Sequence, residues 1–582
     1  MSKFILNTLY IKPKWYKNQN SKNDWDKMIK YADDALILTI KDDVTNTSEL
    51  QIIERPTIPF YTIKEEITPK PYNEMYMDMN LLDEHFVEYS KRELEICKYL
   101  GVENEYKRLK SNKWLNGDES RNEFNNFINE NIAKSPYIYG ADVDIEDYHK
   151  TKFILENGDG LPETLNISMF DIETYIYKFK ENINQKNTKA PINIVTYVNT
   201  KTKMFYALVL KLPDIPVILE VEKDIESYLK EYVIQDFIDN PELSIKVIFY
   251  DDEPNLIISL FRLIHADKPD FCLAWNSNYD YLYIINRAIM LGLDPKDLFC
   301  HPDVPERYRQ FKYVEDYDRI NTDYSKKNKK HFSRYWDWVH APGYTIYIDQ
   351  MSLYSNLRKR YMETSYSLKH ISNKENVNTQ KLDLKSYKLT IKNAPFRNFK
   401  VFLKYSILDT YLLYKIENKN QDLKMLLSLA ANTKLEHATN ISFIIKNAFY
   451  HMFLKENKMI GNTIDYGVYE SIDGAIVADP LLLDSYPIKI DNRPTAIYKY
   501  VTDFDGKSEY PSLMIQFRIG KNTIFTRIVC IKDESGIFIM SGQEFNQMLQ
   551  TKRSSIITLG NKLYGLPNIE DILSDLESKI MN

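Results

Sequence analysis

The stretch Ser168-Met-Phe-Asp-Ile-Glu-Thr-Tyr175 decides how this chain is read. It closes an apolar, β-leaning run over residues 165–170 and delivers two carboxylates, Asp171 and Glu173, before the sequence turns polar. In a strand, residues i and i+2 face the same side, so the two acids project together from the end of a buried strand. Paired carboxylates in such a place repel one another and cost free energy unless positive charge lies between them. A hard divalent cation such as Mg²⁺ or Mn²⁺ is the natural occupant. Taken alone, the D-x-E pattern also fits a strand end that runs into a solvated acidic turn, so the surrounding sequence has to decide.

Outward from this stretch the pattern is α/β. Strands are expected at 165–175, 192–198 and 204–211, the last two joined by the polar turn Asn199-Thr-Lys-Thr-Lys203. A further strand at 245–250, a helix at 255–266 and a strand at 271–275 lead through Asn276-Ser-Asn-Tyr-Asp280 into an amphipathic helix at 282–291. Asp280 therefore falls at a strand-to-helix junction, where α/β sheets tend to place their sites. The polar segment 301–345 interleaves Lys326, Lys327, Lys329, Lys330 and Arg334 with Tyr324, Phe332, Tyr335 and Trp336. It reads either as an element that handles a nucleic-acid strand or as a solvated loop. After a strand at 344–348, a long helix beginning near Phe399 carries Tyr405-Ser-Ile-Leu-Asp409, which sets a phenol and a carboxylate on one face. Asp409 lies among Ile407, Leu408, Leu412 and Leu413, and a buried acid needs a partner.

With 582 residues the chain is expected to hold three or four domains, and 44% hydrophobic residues suffice for several cores. Residues 1–160 read as an N-terminal α+β domain, with strands at 4–11, 35–40 and 59–63 and a helix over 81–100. Basic and aromatic residues mingle at 12–30 and 106–114, as on a phosphate-binding surface or an ordinary solvated face. The formal charge of −6 neither demands nor excludes nucleic acid. Cys97, Cys272, Cys300 and Cys530 show no paired spacing, which argues against a disulfide framework and a cysteine zinc site. No apolar run has the length of a signal peptide or membrane span, so a soluble, cytoplasmic protein with no membrane partner is expected.

Asp171, Glu173, Asp280, Tyr405 and Asp409 together match the needs of two-metal phosphodiester hydrolysis, in which two cations about 4 Å apart clamp the attacking and leaving oxygens. At this point the chain resembles the 3′-to-5′ proofreading exonuclease of family B DNA polymerases, most closely those of T4-type phages. The resemblance rests on three blocks in order: Asp171-Ile-Glu-Thr174, Asn276 to Asp280 followed by Tyr283, and Tyr405-x-x-x-Asp409. It implies a ribonuclease H-like exonuclease domain over 161–420, with Asp171 bridging two Mg²⁺ or Mn²⁺ ions. It further implies that Glu173 and Asp409 complete one metal site, that Asp280 serves the other, and that Tyr405 holds the attacking water. The basic-aromatic segment with Lys326, Lys327, Arg334 and Tyr335 lies where such enzymes part a primer end from its template. One departure stands: the family's second motif has four residues between its asparagine and aspartate, whereas Asn276 and Asp280 are separated by three. This leaves the DNA-contacting role of Asn276 open.

The resemblance continues through a helical connector at 421–500, including Asp473-Gly-Ala-Ile-Val477, into a partial palm at 501–582. There Asp503-Phe-Asp-Gly-Lys-Ser-Glu-Tyr-Pro-Ser512 resembles the first polymerase motif, with Asp505 as a metal ligand and Tyr510 as the residue that rejects a ribose 2′-hydroxyl. No second aspartate turn or basic fingers helix comes after it. The chain is thus expected to be the front part of a split or truncated replicative polymerase, acting on a single-stranded 3′ end or primer–template in a cell's cytoplasm, the host's if it is viral. A second subunit would supply the fingers, the rest of the palm and the thumb, and a sliding clamp is a further implied partner. Two other readings stay open: a non-catalytic DNA-holding platform, and a free-standing repair exonuclease.

Overall fold

The computed structural model describes residues 3–464, less 18–27, 71–72, 113–117, 216, 234–241, 317–334, 359–362, 378 and 380, together with the strand pair Ile488–Ile490 and Arg493–Thr495. The chain divides into two units, 1–469 and 470–582. Lys326, Lys327, Arg334, the 473–477 link, Asp505 and Tyr510 fall outside the described residues.

The first unit is mixed α/β and is built on an eight-stranded sheet. Its strands in chain order are β1 (Ile167–Thr174), β2 (Ile192–Asn199), β3 (Met204–Leu210), β4 (Ser244–Tyr250), β5 (Phe271–Ala274), β6 (Lys312–Val314), β7 (Trp338–His340) and β8 (Ile346–Asp349). Across the sheet they run β4-β3-β2-β1-β5-β8-β7-β6. The hairpin β2–β3 is antiparallel, as the short turn requires; Asn199 Oδ1 accepts from the Lys201 and Thr202 amides, and Lys203 adopts φ 55° to close it. β5 and β8 lie parallel to β1 and to each other, each reached by a helical crossover.

The alternation of β1 assigns its two faces. Phe170 and Ile172 join Val195, Tyr197, Cys272 and Ala274 beneath α1 (Glu253–Asp267) and α2 (Ser277–Met290). Ile167 and Met169 join Ile194, Val198 and Leu273 on the other face, beneath the long helix α4 (Phe399–Asn420); the short helix α3 (Gln350–Leu357) follows β8 directly. Asp171 and Glu173 share the parity of Ile167 and Met169, so they meet α4. α4 buries Phe402, Leu403, Leu412 and Leu413 completely, each contributing about 1.5–3 kcal/mol by area removed from water. Thr196 Oγ1 lies 2.6 Å from Thr410 Oγ1, which fixes the rotation of α4 one residue beyond Asp409. On the opposite face Arg287 of α2 grips Glu253 of α1 through two bonds of 2.8 and 2.6 Å.

Two expectations change. Residues 81–100 are half strand: Leu82–Glu88 pairs antiparallel with Thr57–Ile63, and only Arg92–Tyr99 is α-helical. Its charged sequence favours no strand by itself; the ladder offered by the neighbouring strand overrides local propensity. The segment 301–345 is also not a bare loop, because β6 and β7 pair antiparallel within it. Tyr335 lies just before β7, where its carbonyl accepts a bond from Ser352 Oγ at 2.8 Å. In the N-terminal part, Tyr106 is buried with its hydroxyl on Glu93, so its ring belongs to the core rather than to a base-stacking surface.

The N-terminal three-stranded sheet (Lys3–Ile11, Ala35–Asp42, Thr47–Glu54) is keyed to the large sheet by one buried ion pair. Lys41 Nζ lies 2.7 Å from Asp270 Oδ2, both side chains being 1% exposed, and Asp270 also accepts from Ser48 Oγ and the Asn166 amide. Removing one partner of such a pair strands the other charge. Lys41→Met is therefore expected to cost about 3–5 kcal/mol in urea unfolding, and Lys41→Met with Asp270→Asn to recover part of that loss.

Candidate metal centre

The acidic pair at the end of β1 meets α4 as the parity of the strand dictates. One carboxylate oxygen each from Asp171, Glu173 and Asp409 lie within 4.8 Å of one another. Asp280, in the first turn of α2, lines the same 590 Å³ cleft but stands outside that triad. Glu173, Asp280 and Asp409 are buried, while Asp171 is partly open to the cleft. Tyr405, one turn before Asp409 on α4, also lines it. All five residues singled out for hydrolysis thus share one cavity.

The electrostatics of this cavity are unfavourable to the acids in isolation. Burial raises the Asp171 carboxyl above the usual carboxylate range, and the charge of Asp409 adds to it while Lys381 opposes. Glu173 is raised further, by burial and then by Asp171 and Asp409. Asp280 is raised by burial, then by Asp171 and Asp349. Asp409 is raised by burial against the pull of Lys381 and the Tyr405 hydroxyl. Tyr405 is kept firmly protonated by burial and by the neighbouring acids, which leaves it a hydroxyl donor.

Lys381 is the partner that Asp409 requires. Its Nζ lies 2.5 Å from Asp409 Oδ2 and 4.9 Å from the centroid of the Tyr405 ring. The other oxygen, Asp409 Oδ1, is buried with no hydrogen-bond partner among the described residues. An orphaned oxygen on a carboxylate that clusters with two others fits a divalent cation, and the donor set is all hard oxygen, as Mg²⁺ or Mn²⁺ prefers. Four carboxylates line the cleft against the single ammonium of Lys381 among the described residues.

The remaining wall combines aromatic and polar side chains. Trp275, Asn276 and Tyr279 come from the β5–α2 junction, and Thr364, Ser365, Tyr366, Ser367 and Leu368 from the segment that leads into the helix Leu368–Lys374. Trp275 Nε1 bonds the Tyr366 carbonyl at 3.1 Å and ties the two walls together. Tyr283 takes no part; it is buried, with its hydroxyl on the Ala190 carbonyl. Tyr335 is not among the residues that line the cleft.

Comparison with known proteins agrees with this geometry. Residues 107–371 match the exonuclease domain of DNA polymerase family B. A DNA-directed DNA polymerase of Escherichia phage RB69 is 26% identical over 374 residues, a stretch that covers 62% of this chain and 36% of that polymerase. Part of this chain is therefore similar to the exonuclease region of family B DNA polymerases. The chain thus spans little more than a third of the length of the relative it matches. Asp171, Glu173, Asn276 and Asp280 fall inside the matched residues, whereas Lys381, Tyr405 and Asp409 lie beyond them and reach the same cleft through the fold.

Sequence reasoning required a partner for Asp409 but did not identify Lys381, which lies on an irregular segment with no periodic signal. It also missed the wall at 364–368. The raised carboxyls give a sign for pH dependence. Each binds its proton more tightly folded than unfolded, so stability held at low pH is lost as pH rises above about 4 and through the folded values. In a chelator, the melting temperature should fall as pH rises from 5 to 8, Mn²⁺ should reverse the fall, and Asp171→Asn should flatten it.

Proposed function

We propose that this chain is a metal-dependent 3′-to-5′ exonuclease that trims single-stranded DNA ends as the proofreading part of a family B replicative polymerase. The observation that carries this reading is the convergence of Asp171, Glu173 and Asp409 within 4.8 Å, with Asp280 in the same cleft and Asp409 Oδ1 unpartnered. Asp171 would be shared between two cations, Glu173 and Asp409 would complete one position and Asp280 the other. Bound there, the cations supply Lewis-acid charge that lowers the pKa of the attacking water and stabilises the departing oxygen.

The chain's own residues do the rest. The Tyr405 hydroxyl, held protonated beside Asp409, orients the water in line with the last phosphodiester. Water oxygen bonds to phosphorus, the bond to the preceding nucleotide's O3′ breaks, and a 5′-mononucleotide leaves while the strand keeps a 3′-hydroxyl. Lys381 holds Asp409 in place and offsets part of the acidic charge that would repel the phosphate. Trp275 and Tyr279 offer aromatic surface to the terminal bases, and the Asn276 amide, which makes no capping bond, is available to the strand.

In this reading residues 1–160 form the N-terminal domain, 161–420 the exonuclease, 421–500 the connector and 501–582 a partial palm completed by a second polypeptide. The purified chain should shorten a 5′-labelled single-stranded oligonucleotide from its 3′ end in Mg²⁺ or Mn²⁺ and extend no primer. Asp171→Ala with Glu173→Ala should lower digestion by at least about 10³-fold while leaving oligonucleotide binding within a few fold. Digestion that survives the double change refutes the site assignment; primer extension by the chain alone refutes the two-chain reading.

A further inference from the structure

Helix α2 presents Asp280 in its first turn, yet it does not cap itself. Its N-cap residue, Asn276, sits at φ 65° in the left-handed region, and its side chain makes no capping bond. The first helical N–H, that of Ser277, is taken instead by Asp349 Oδ2 at 3.1 Å. Asp349 ends β8, opposite Ala274 in the parallel pairing with β5 and hence beside the point where the chain turns into α2. Its second oxygen, Oδ1, accepts the Ser352 N–H at 3.1 Å and caps α3. One carboxylate, 3% exposed, thus serves two helix N-termini and lies close enough to Asp280 for their charges to interact.

We propose that Asp349 is a positioning residue of the nuclease centre. By capping α2 in place of Asn276, it fixes the turn that presents Asp280 and leaves the Asn276 amide free to face the cleft. Two physical facts support this. A helix N-terminus buried in protein must have its first N–H groups satisfied, and an anionic acceptor also complements the helix dipole. Asn is itself a strong capping residue, so an uncapped α2 would draw the Asn276 side chain back onto the helix and away from the strand. The shortened spacing between Asn276 and Asp280 is accommodated in the same way, because the asparagine is relieved of the structural task that its position would otherwise impose. Asp349 touches neither substrate nor metal in this scheme; it acts through Asp280 and Asn276.

The inference rests on the nuclease reading, and its test separates the two. The wild-type chain, Asp349→Ala, Asp349→Asn and Lys41→Met are compared by thermal melting, by calorimetric titration with Mn²⁺, and by single-stranded DNA digestion. Lys41→Met serves as a destabilised control remote from the cleft. Asp349→Ala is expected to weaken Mn²⁺ binding and lower kcat by about 10- to 100-fold, the range for residues that orient ligands from behind, with a smaller rise in KM. Asp349→Asn keeps one acceptor and should recover most of the loss, while Lys41→Met should lower the melting temperature and leave the Mn²⁺ curve unchanged. Wild-type Mn²⁺ binding in Asp349→Ala, or a loss matched by Lys41→Met, overturns the inference. A wild-type chain that binds Mn²⁺ but digests nothing overturns the nuclease reading instead, and the binding curves still decide the role of Asp349. If Asp349→Ala does not fold, Asp349→Asn carries the test: Mn²⁺ binding as weak as that of Asp171→Asn refutes rescue by a single acceptor.

Discussion

Asp171, Glu173, Asp280 and Asp409 are held in one cleft although burial opposes the ionised form of each, and neighbouring acids add to that for Asp171, Glu173 and Asp280. No local preference would bring them together, so the surrounding structure has to impose their closeness. β1 does so by parity, placing two acids on the face that carries α4. The Thr196–Thr410 contact holds that helix in rotation, and the Arg287–Glu253 clamp holds α2 against α1 on the other side of the sheet. The apolar layers on both faces stabilise a polar centre that costs free energy in the absence of cations, a distribution expected where function and stability compete.

Much of this was legible in the chain. Period-two alternation over 167–174 was enough to pair Asp171 with Glu173, and the i, i+4 spacing of Tyr405 and Asp409 was enough to align them, because both signals are intrinsic to one element. The order of the three acidic blocks then carried the recognition of the family. What stayed hidden depends on contacts between elements. Leu82–Glu88 is a strand only because a neighbour supplies its ladder, and Lys381 reaches Asp409 from an irregular segment. Asp349 ends a strand whose sequence gives no hint that its carboxylate will cap a helix that begins 72 positions earlier. Side chains whose partners are distant in sequence leave no periodic trace.

The cleft also has two kinds of wall. Every carboxylate stands on a strand or helix that is packed on a sheet, which suits a reaction that tolerates little misplacement of charge. The wall at 364–368 leads into a helix capped by Ser367 and is tied to Trp275 by the bond from Trp275 Nε1 to the Tyr366 carbonyl.

The Lys41–Asp270 pair bears on how such a protein can be inherited. Asp270 opens β5, and its backbone also bonds to Asn166 and Ile346, so it joins the starts of three central strands while its carboxylate reaches the N-terminal sheet. The far end of β5 runs into Asn276 and α2. A chain passed on without its N-terminal sheet would leave that carboxylate buried without the Lys41 ammonium at the base of the strand leading to the acidic cleft. The two parts therefore make a poor set of exchangeable modules.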